Sequence, residues 1–210
     1  MPSSGPPSRL AVLVSGGGSN LQALLDAIAA DPEFGGEVVV VGADRADAGG
    51  LARARDAGVA TVVQPFSDHA DRSDFERALL AELAPFEPDA VVLAGFMRIL
   101  SSSLLSVWPD RVLNTHPSLL PAFPGAHAVR ESLDYGVKVT GCTVHLVDEQ
   151  VDHGPIVAQE PVPVRDDDTQ ESLHRRIQTV EHRLLPTCVA ALCQGRLHLD
   201  GRHVRLTPPG

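Results

Sequence analysis

The sequence predicts an α/β protein: a single-domain, open, doubly wound, mostly parallel sheet with an antiparallel extension toward the C-terminus. Three observations carry this. Over residues 9–114, short apolar runs alternate with segments of helical spacing. Those runs are apolar throughout rather than at every second residue, the mark of strands covered on both faces. After residue 137 two alternating segments follow one another with no helix between them, which suits antiparallel pairing.

Each element follows from its own residues. Leu10–Val14 is the first strand, and the stretch Gly16-Gly17-Gly18-Ser19-Asn20 breaks it before a helix over Leu21–Ala30. Val38–Val41 and Gly50–Ala57 are the next strand and helix. Ala60–Val63, Phe75–Leu83 and Ala90–Ala94 continue as strand, helix and strand, and Arg111–Asn114 completes the parallel half. Lys138–Val147 and Ile156–Val164 make the antiparallel part. Asp168 is placed to cap a long helix over residues 170–193, with an interruption expected at Pro186, since proline has no N–H and crowds the preceding turn. Leu197–Leu206 reads as a final hairpin turning on Asp200-Gly201. No repeat and no long linker divides the chain. Residues 9–206 are therefore expected to form one domain, with a disordered arm over 1–8 and a tail over 207–210.

Composition excludes several classes. The chain has 210 residues, 43% of them hydrophobic, enough for a real core. A formal net charge of −10 argues against a nucleic-acid binder but leaves room for a local basic pocket for an anionic small molecule. The three cysteines, Cys142, Cys188 and Cys193, fit no disulfide framework, so a reduced, cytoplasmic protein is expected. The N-terminus lacks the charged start and apolar core of a signal peptide. No apolar run reaches the roughly 18 residues of a membrane span.

The glycine turn is the first candidate site. A helix start offers free N–H groups and the positive end of a dipole, and glycine lets the backbone approach a phosphate closely. Ser19 and Asn20 can cap the helix or donate to that phosphate. The turn matches neither G-x-x-x-x-G-K-[ST] nor G-x-G-x-x-G, and Asp44 alone is weak support for a dinucleotide site. A tight β–α turn without a ligand explains the same residues.

The second candidate is RVLNTHPSLLPAFPG, just past the end of a strand, where α/β sheets bind ligands. Asn114 and His116 stand at i and i+2 and so face one side of extended backbone. An amide that donates to an oxyanion and an imidazole that moves a proton suit acyl transfer. A lone loop histidine is as readily structural. Asp152, in the turn Asp152-His153-Gly154-Pro155, serves either its own backbone or the pKa of His116. His127 and His145 are further pocket candidates. The nine histidines show no tight ligand spacing, so no metal is expected. There is no G-x-S-x-G elbow, and Cys188 and Cys193 read as core.

Taken in order and spacing, SGGGSNLQALLDA, LAGFMRILS, NTHPSLLPAFPGAHA, DHGPIVAQEPVPV and QTVEHRLLP resemble the phosphoribosylglycinamide formyltransferases, from about Leu10 to Gly195. The resemblance implies transfer of a formyl group from 10-formyltetrahydrofolate to the amine of glycinamide ribonucleotide in purine synthesis, without a metal. It implies that Asn114, His116 and Asp152 are catalytic and that Gly18, Ser19, Asn20 and Glu181 bind the ribonucleotide. It assigns the folate to Arg72, Met97, Arg98, Ile99, Leu100 and Asn114.

Two departures stand out: Gly17, where family members often carry asparagine, and His153, where a small residue is common and which leaves the pH balance at His116 open. The rival readings are a 10-formyltetrahydrofolate hydrolase, expected to carry an added N-terminal domain, and a formylase of initiator methionyl-tRNA, expected to carry a basic C-terminal domain. A phosphate-binding module would have no use for Asn114 and His116. An exposed edge strand leaves homodimer formation open.

Overall fold

The strand β1 (Ser8–Val14) is apolar on both sides because both sides are covered. Leu10, Val12 and Val14 face one hydrophobic layer, and Ala11 and Leu13 face the other. In the computed structural model, which describes residues 6–208, β1 lies in the middle of a seven-stranded sheet. The other strands are β2 (Gly36–Ala43), β3 (Ala60–Val63), β4 (Ala90–Leu93), β5 (Val112–His116), β6 (Val139–Leu146) and β7 (Ile156–Pro163), in the order β3-β2-β1-β4-β5-β6-β7. The strands β3 to β5 of that order run parallel; β6 is antiparallel to β5 and β7 to β6. Residues 1–5 and 209–210, the outer parts of the expected arm and tail, lie outside the described residues.

Helices cover both faces. On one, α1 (Ser19–Ala30), α2 (Gly49–Asp56) and α6 (Gln170–Cys193) bury Leu21, Leu24, Leu51, Leu185 and Val189 against Leu10, Val12 and Val14. On the other, α3 (Arg72–Leu83) and the single turn α4 (Ser102–Leu105) bury Phe75, Leu79 and Leu104 with Trp108 against Leu13, Val91 and Leu93. Each fully buried leucine or phenylalanine is worth about 1.5–3 kcal/mol, so the sandwich is driven from both sides. A smaller cluster joins α5 (Ala128–Tyr135) to β6, β7 and α6 through Val129, Cys142, Val162 and Ile177. The chain ends in a separate hairpin, β8 (Leu197–Asp200) and β9 (His203–Leu206).

The expected elements recur within a few residues, with four differences. α6 runs unbroken through Pro186. The lost backbone bond, about 3 kcal/mol in a helix interior, is offset by burial of Leu185, Pro186, Cys188 and Val189 along the same stretch. Its N-cap is Thr169, which closes a capping box with Ser172; Asp168 instead accepts from the Ser172 hydroxyl at 2.7 Å and pairs with Arg176. The last hairpin turns on Gly201-Arg202, one residue later than expected, with Asp200 opposite His203. α4 and α5 have no counterpart in the sequence reading: one is a single turn, and the other offers a narrow apolar face of Ala128, Val129 and Leu133.

Strand order reverses direction between β1 and β4, so the carboxyl ends of β1, β4 and β5 surround a crevice. Such a switch point is where open α/β sheets place their ligands.

Candidate functional site

At the end of β1 the backbone is locked to its neighbours. Ser15 N donates to the Gly95 carbonyl at 3.2 Å, and the Ser15 hydroxyl accepts from Met97 N at 2.9 Å. The glycines that follow pack on the start of α2. Gly50 N donates to Gly16 O at 3.1 Å, and Arg53 Nε donates to Gly17 O at 2.8 Å. Gly18 is the N-cap of α1 at φ 71, and a Cβ there would lie 2.5 Å from Gly50 Cα. Only glycine fits both the left-handed φ and that approach. Gly17 has open space around it, so a Cβ in that place meets no obstacle.

Neither Ser19 nor Asn20 caps α1; among the described residues no side chain does, and the first N–H groups of the helix stay free of a side-chain cap. Asn20 points inward, and its Nδ2 donates to Glu181 Oε2 at 3.1 Å. Both residues are buried, and Asn20 Oδ1 has no partner among the described residues. Burial pushes the Glu181 carboxyl above its ordinary pKa, with the Asn20 bond opposing. The structure thus brings Gly18, Ser19, Asn20 and Glu181 to one corner.

The second centre lies in a cleft of about 390 Å³ next to that corner. Gly95–Leu100, Asn114–Pro117, Gly125, His145 and the loop following β6 line it. Met97, Ile99 and Val151 are exposed and give it an apolar rim. The antiparallel register sets Asn114 opposite His145 and His116 opposite Thr143. His145 Nδ1 donates to the Leu146 carbonyl at 2.9 Å, so its Nε2 accepts from Asn114 Nδ2 at 3.1 Å. That bond orients the amide and leaves its second hydrogen uncommitted.

His116 is buried, and its Nε2 donates to the Phe123 carbonyl at 2.8 Å. Its other nitrogen, Nδ1, lies 3.3 Å from Asp152 Oδ2. The same oxygen accepts from Gly125 N at 2.7 Å, and Oδ1 lies 3.7 Å from His145 Nε2. Asp152 holds this position at φ 51, a strained value for a residue with a side chain.

Burial is the largest influence on His116 and lowers its pKa; Asp152 and the Phe123 carbonyl pull the other way without overcoming it. For Asp152 burial again opposes the charge, but His145, the Gly125 N–H and His116 together hold the carboxyl below its ordinary value. The upward pull of Asp152 on His116 expected from sequence is present, yet the net shift is downward.

Other expected residues are placed as follows. Met97, Arg98, Ile99 and Leu100 line the cleft. Arg98 Nε donates to buried Asp44 at 2.6 Å, and its guanidinium sits 4.4 Å from the Phe66 ring centre. Arg72 opens α3, exposed and outside the cleft lining, and His127 likewise does not line it. His153 turns away from His116 toward Asp148 and Arg202. Among the described residues no cluster of three His, Cys, Asp or Glu side chains is arranged to hold a metal, and no helix is long and apolar enough to cross a membrane.

Sequence reasoning missed the backbone partners of the centre, Phe123 O and Gly125 N, and treated His145 only as a pocket candidate. The alternation of β6 held the signal for His145: its register against β5 puts the ring beside Asn114.

An amide, an imidazole and a carboxylate that open together onto a crevice at the switch point suit chemistry on a carbonyl group. Comparison with known proteins narrows the class. The family described as "Formyl transferase" matches residues 8–189. A phosphoribosylglycinamide formyltransferase of Mycobacterium tuberculosis is 51% identical over 93% of this chain and 90% of its own length. The trifunctional purine biosynthetic protein adenosine-3 of Bos taurus is 44% identical over 91% of this chain and 19% of its own. The crystal structure of glycinamide ribonucleotide transformylase 1 from Symbiobacterium toebii superposes with a TM-score of 0.92 at 48% identity, covering 96% of this chain and 95% of the other. The chain belongs to the formyl transferase family.

Proposed function

We propose that this enzyme transfers the formyl group of 10-formyltetrahydrofolate to the amine of N1-(5-phospho-D-ribosyl)glycinamide, yielding the formylated ribonucleotide and tetrahydrofolate, a step of purine synthesis. The observation that carries the reading is the convergence of Asn114, His116 and Asp152 at the crevice, one strand end away from an uncapped helix start. The names of the relatives supply the substrate.

In this reading the free N–H groups at Gly18 and Ser19 bind the phosphate, where the helix dipole favours an anion. Glu181, oriented by Asn20, accepts from the ribose hydroxyls. The folate lies in the cleft against Met97, Ile99 and Leu100, with Arg98 braced by Asp44 and Phe66. Arg72 meets the acidic tail of the folate outside the cleft.

The substrate amine attacks the formyl carbon, and the carbonyl oxygen takes up the charge. The uncommitted hydrogen of Asn114 donates to that oxygen; one such donor lowers a barrier by about 3–4 kcal/mol. Because Nε2 of His116 is occupied by Phe123, proton transfer belongs to Nδ1. The resting imidazole is neutral at neutral pH, so it takes the proton that the attacking amine loses. Asp152 stabilises the imidazolium so formed. His116 then returns the proton to N10 of the folate as the C–N10 bond breaks, and no covalent intermediate forms.

The test is purified protein with 10-formyltetrahydrofolate, with and without the ribonucleotide. Formylated ribonucleotide should appear in step with tetrahydrofolate. Formate release independent of the ribonucleotide would refute the transferase reading in favour of hydrolysis.

A further inference from the structure

The loop that carries Asp152 is held from outside by a part of the chain that the family match does not reach. Residues 147–155 join β6 to β7 and double back tightly: a Cβ on Gly154 would overlap the Leu146 carbonyl oxygen. Within the loop, His153 Nδ1 donates to Asp148 Oδ2 at 2.6 Å and Gln150 N donates to Asp148 Oδ1 at 3.0 Å. Beside the pairing of Asp152 with His116 and His145, hydrogen bonds tie residues 148–153 to other elements on two sides. One is Gly125 N to Asp152, on the cleft side. The other is on the outer side: Arg202 Nη2 donates to the His153 carbonyl at 2.6 Å, with Nη1 3.4 Å from both nitrogens of the His153 ring.

Arg202 stands at the tip of the β8–β9 hairpin, in a two-residue turn that Gly201 makes possible at φ 58. The hairpin is a stiff arm. Leu197, Leu199 and Val204 pack against the main core. Its base is closed by Thr207 N donating to Arg196 O at 3.0 Å and Arg196 Nη1 donating to Thr207 O at 2.7 Å. The family match ends at residue 189, before this arm begins.

An exposed arginine is usually worth little. This one differs because it grips the carbonyl of the residue that follows Asp152, close to a left-handed backbone position that the surrounding contacts hold in place. We propose that Arg202 is a positioning residue: the C-terminal hairpin clamps the 147–155 loop, through the His153 carbonyl and the His153–Asp148 pair, in the shape that aims Asp152 at His116. The kinetic part of this proposal rests on the role given to Asp152 above.

Arg202→Ala and Arg202→Lys test it by two routes. Hydrogen exchange in the full-length protein should quicken about tenfold or more over residues 148–154 in Arg202→Ala and stay unchanged over 16–20. In formyl transfer, kcat should fall about tenfold, since misplacing a reacting group by a fraction of an ångström has effects of this order. The folate KM should rise and the ribonucleotide KM should not, and Arg202→Lys, which keeps one donor for the carbonyl, should recover most of the rate. Unchanged loop exchange overturns the clamp. So does a loss that moves both KM values and the melting temperature together, since that marks a purely structural arginine. If the wild-type protein formylates nothing, the proposed activity fails alone, and loop exchange still decides the clamp.

Discussion

Replacing Gly18 by alanine adds one carbon atom, and the structure says where it goes. The new Cβ lies 2.5 Å from Gly50 Cα and 3.2 Å from Gly50 N, both backbone atoms that cannot swing aside. Gly18 also sits at φ 71, where a side chain costs about 1–2 kcal/mol. Overpacking of this kind adds about 1–3 kcal/mol. A combined loss near 3 kcal/mol leaves a domain of ordinary stability folded but lowers its melting temperature by about 6–12 °C. Part of the strain is relieved by shifting the turn off α2, which moves the N–H groups proposed to bind the phosphate. Loss of one charge-assisted hydrogen bond costs about 1.5–3 kcal/mol, so the ribonucleotide KM should rise by about one to two orders of magnitude. The folate KM, set one strand end away, should change by less than about twofold. Steady-state kinetics with each substrate varied in turn measures this, and Gly17→Ala is the control, because nothing lies within 4 Å of its Cβ. Equal rises in both KM values, or a Gly18→Ala protein that melts early yet binds the ribonucleotide normally, would refute the reasoning.

His116→Ala should lose about three orders of magnitude in turnover while calorimetry still detects the ribonucleotide; retained turnover removes His116 from the chemistry. Asp152→Asn removes the principal charge that pulls the His116 pKa upward, so an NMR titration of His116 should show its pKa moving further below 6.5 than in the wild type; an upward move contradicts the assignment. The sign for stability follows from the same shift. A histidine depressed in the folded state favours folding above its unfolded pKa of 6.5, and that contribution disappears as pH falls through the folded value; denaturant melts of His116→Asn should therefore lose less stability than wild type on acidification below about pH 6.5. Glu181 behaves oppositely: burial raises its pKa above 4.5, so at neutral pH its ionised form costs stability. Glu181→Gln should melt at a higher temperature at pH 7 and yet show a raised ribonucleotide KM, and a lower melting temperature would contradict the burial argument.

The parallel half was legible because residues such as Val12 and Leu13 are apolar in succession, and only a strand covered on both faces has use for that. Asn114 and His116 were legible as a pair because extended backbone repeats every second residue. What failed to show was set by contacts across the chain. Pro186 breaks a helix by local rules, and only the burial of its neighbours keeps α6 whole. The protonation of His116 depends on how deeply β5 is covered, and its choice of nitrogen on the Phe123 carbonyl, which belongs to a loop whose path no periodicity announces. Arg202 carries no signal in sequence, since its partner is a backbone carbonyl nearly fifty residues earlier.

The pairing of β5 with β6 has a consequence for how the chain tolerates being lengthened. The ladder register sets Asn114 opposite His145 and His116 opposite Thr143. Adding one residue between Leu113 and Asn114 turns both side chains to the opposite face of the sheet at once. Adding several at the largely exposed connection 136–138, between α5 and β6, leaves that ladder untouched. Length variation and inserted tags therefore belong in that connection, and the two strands admit none.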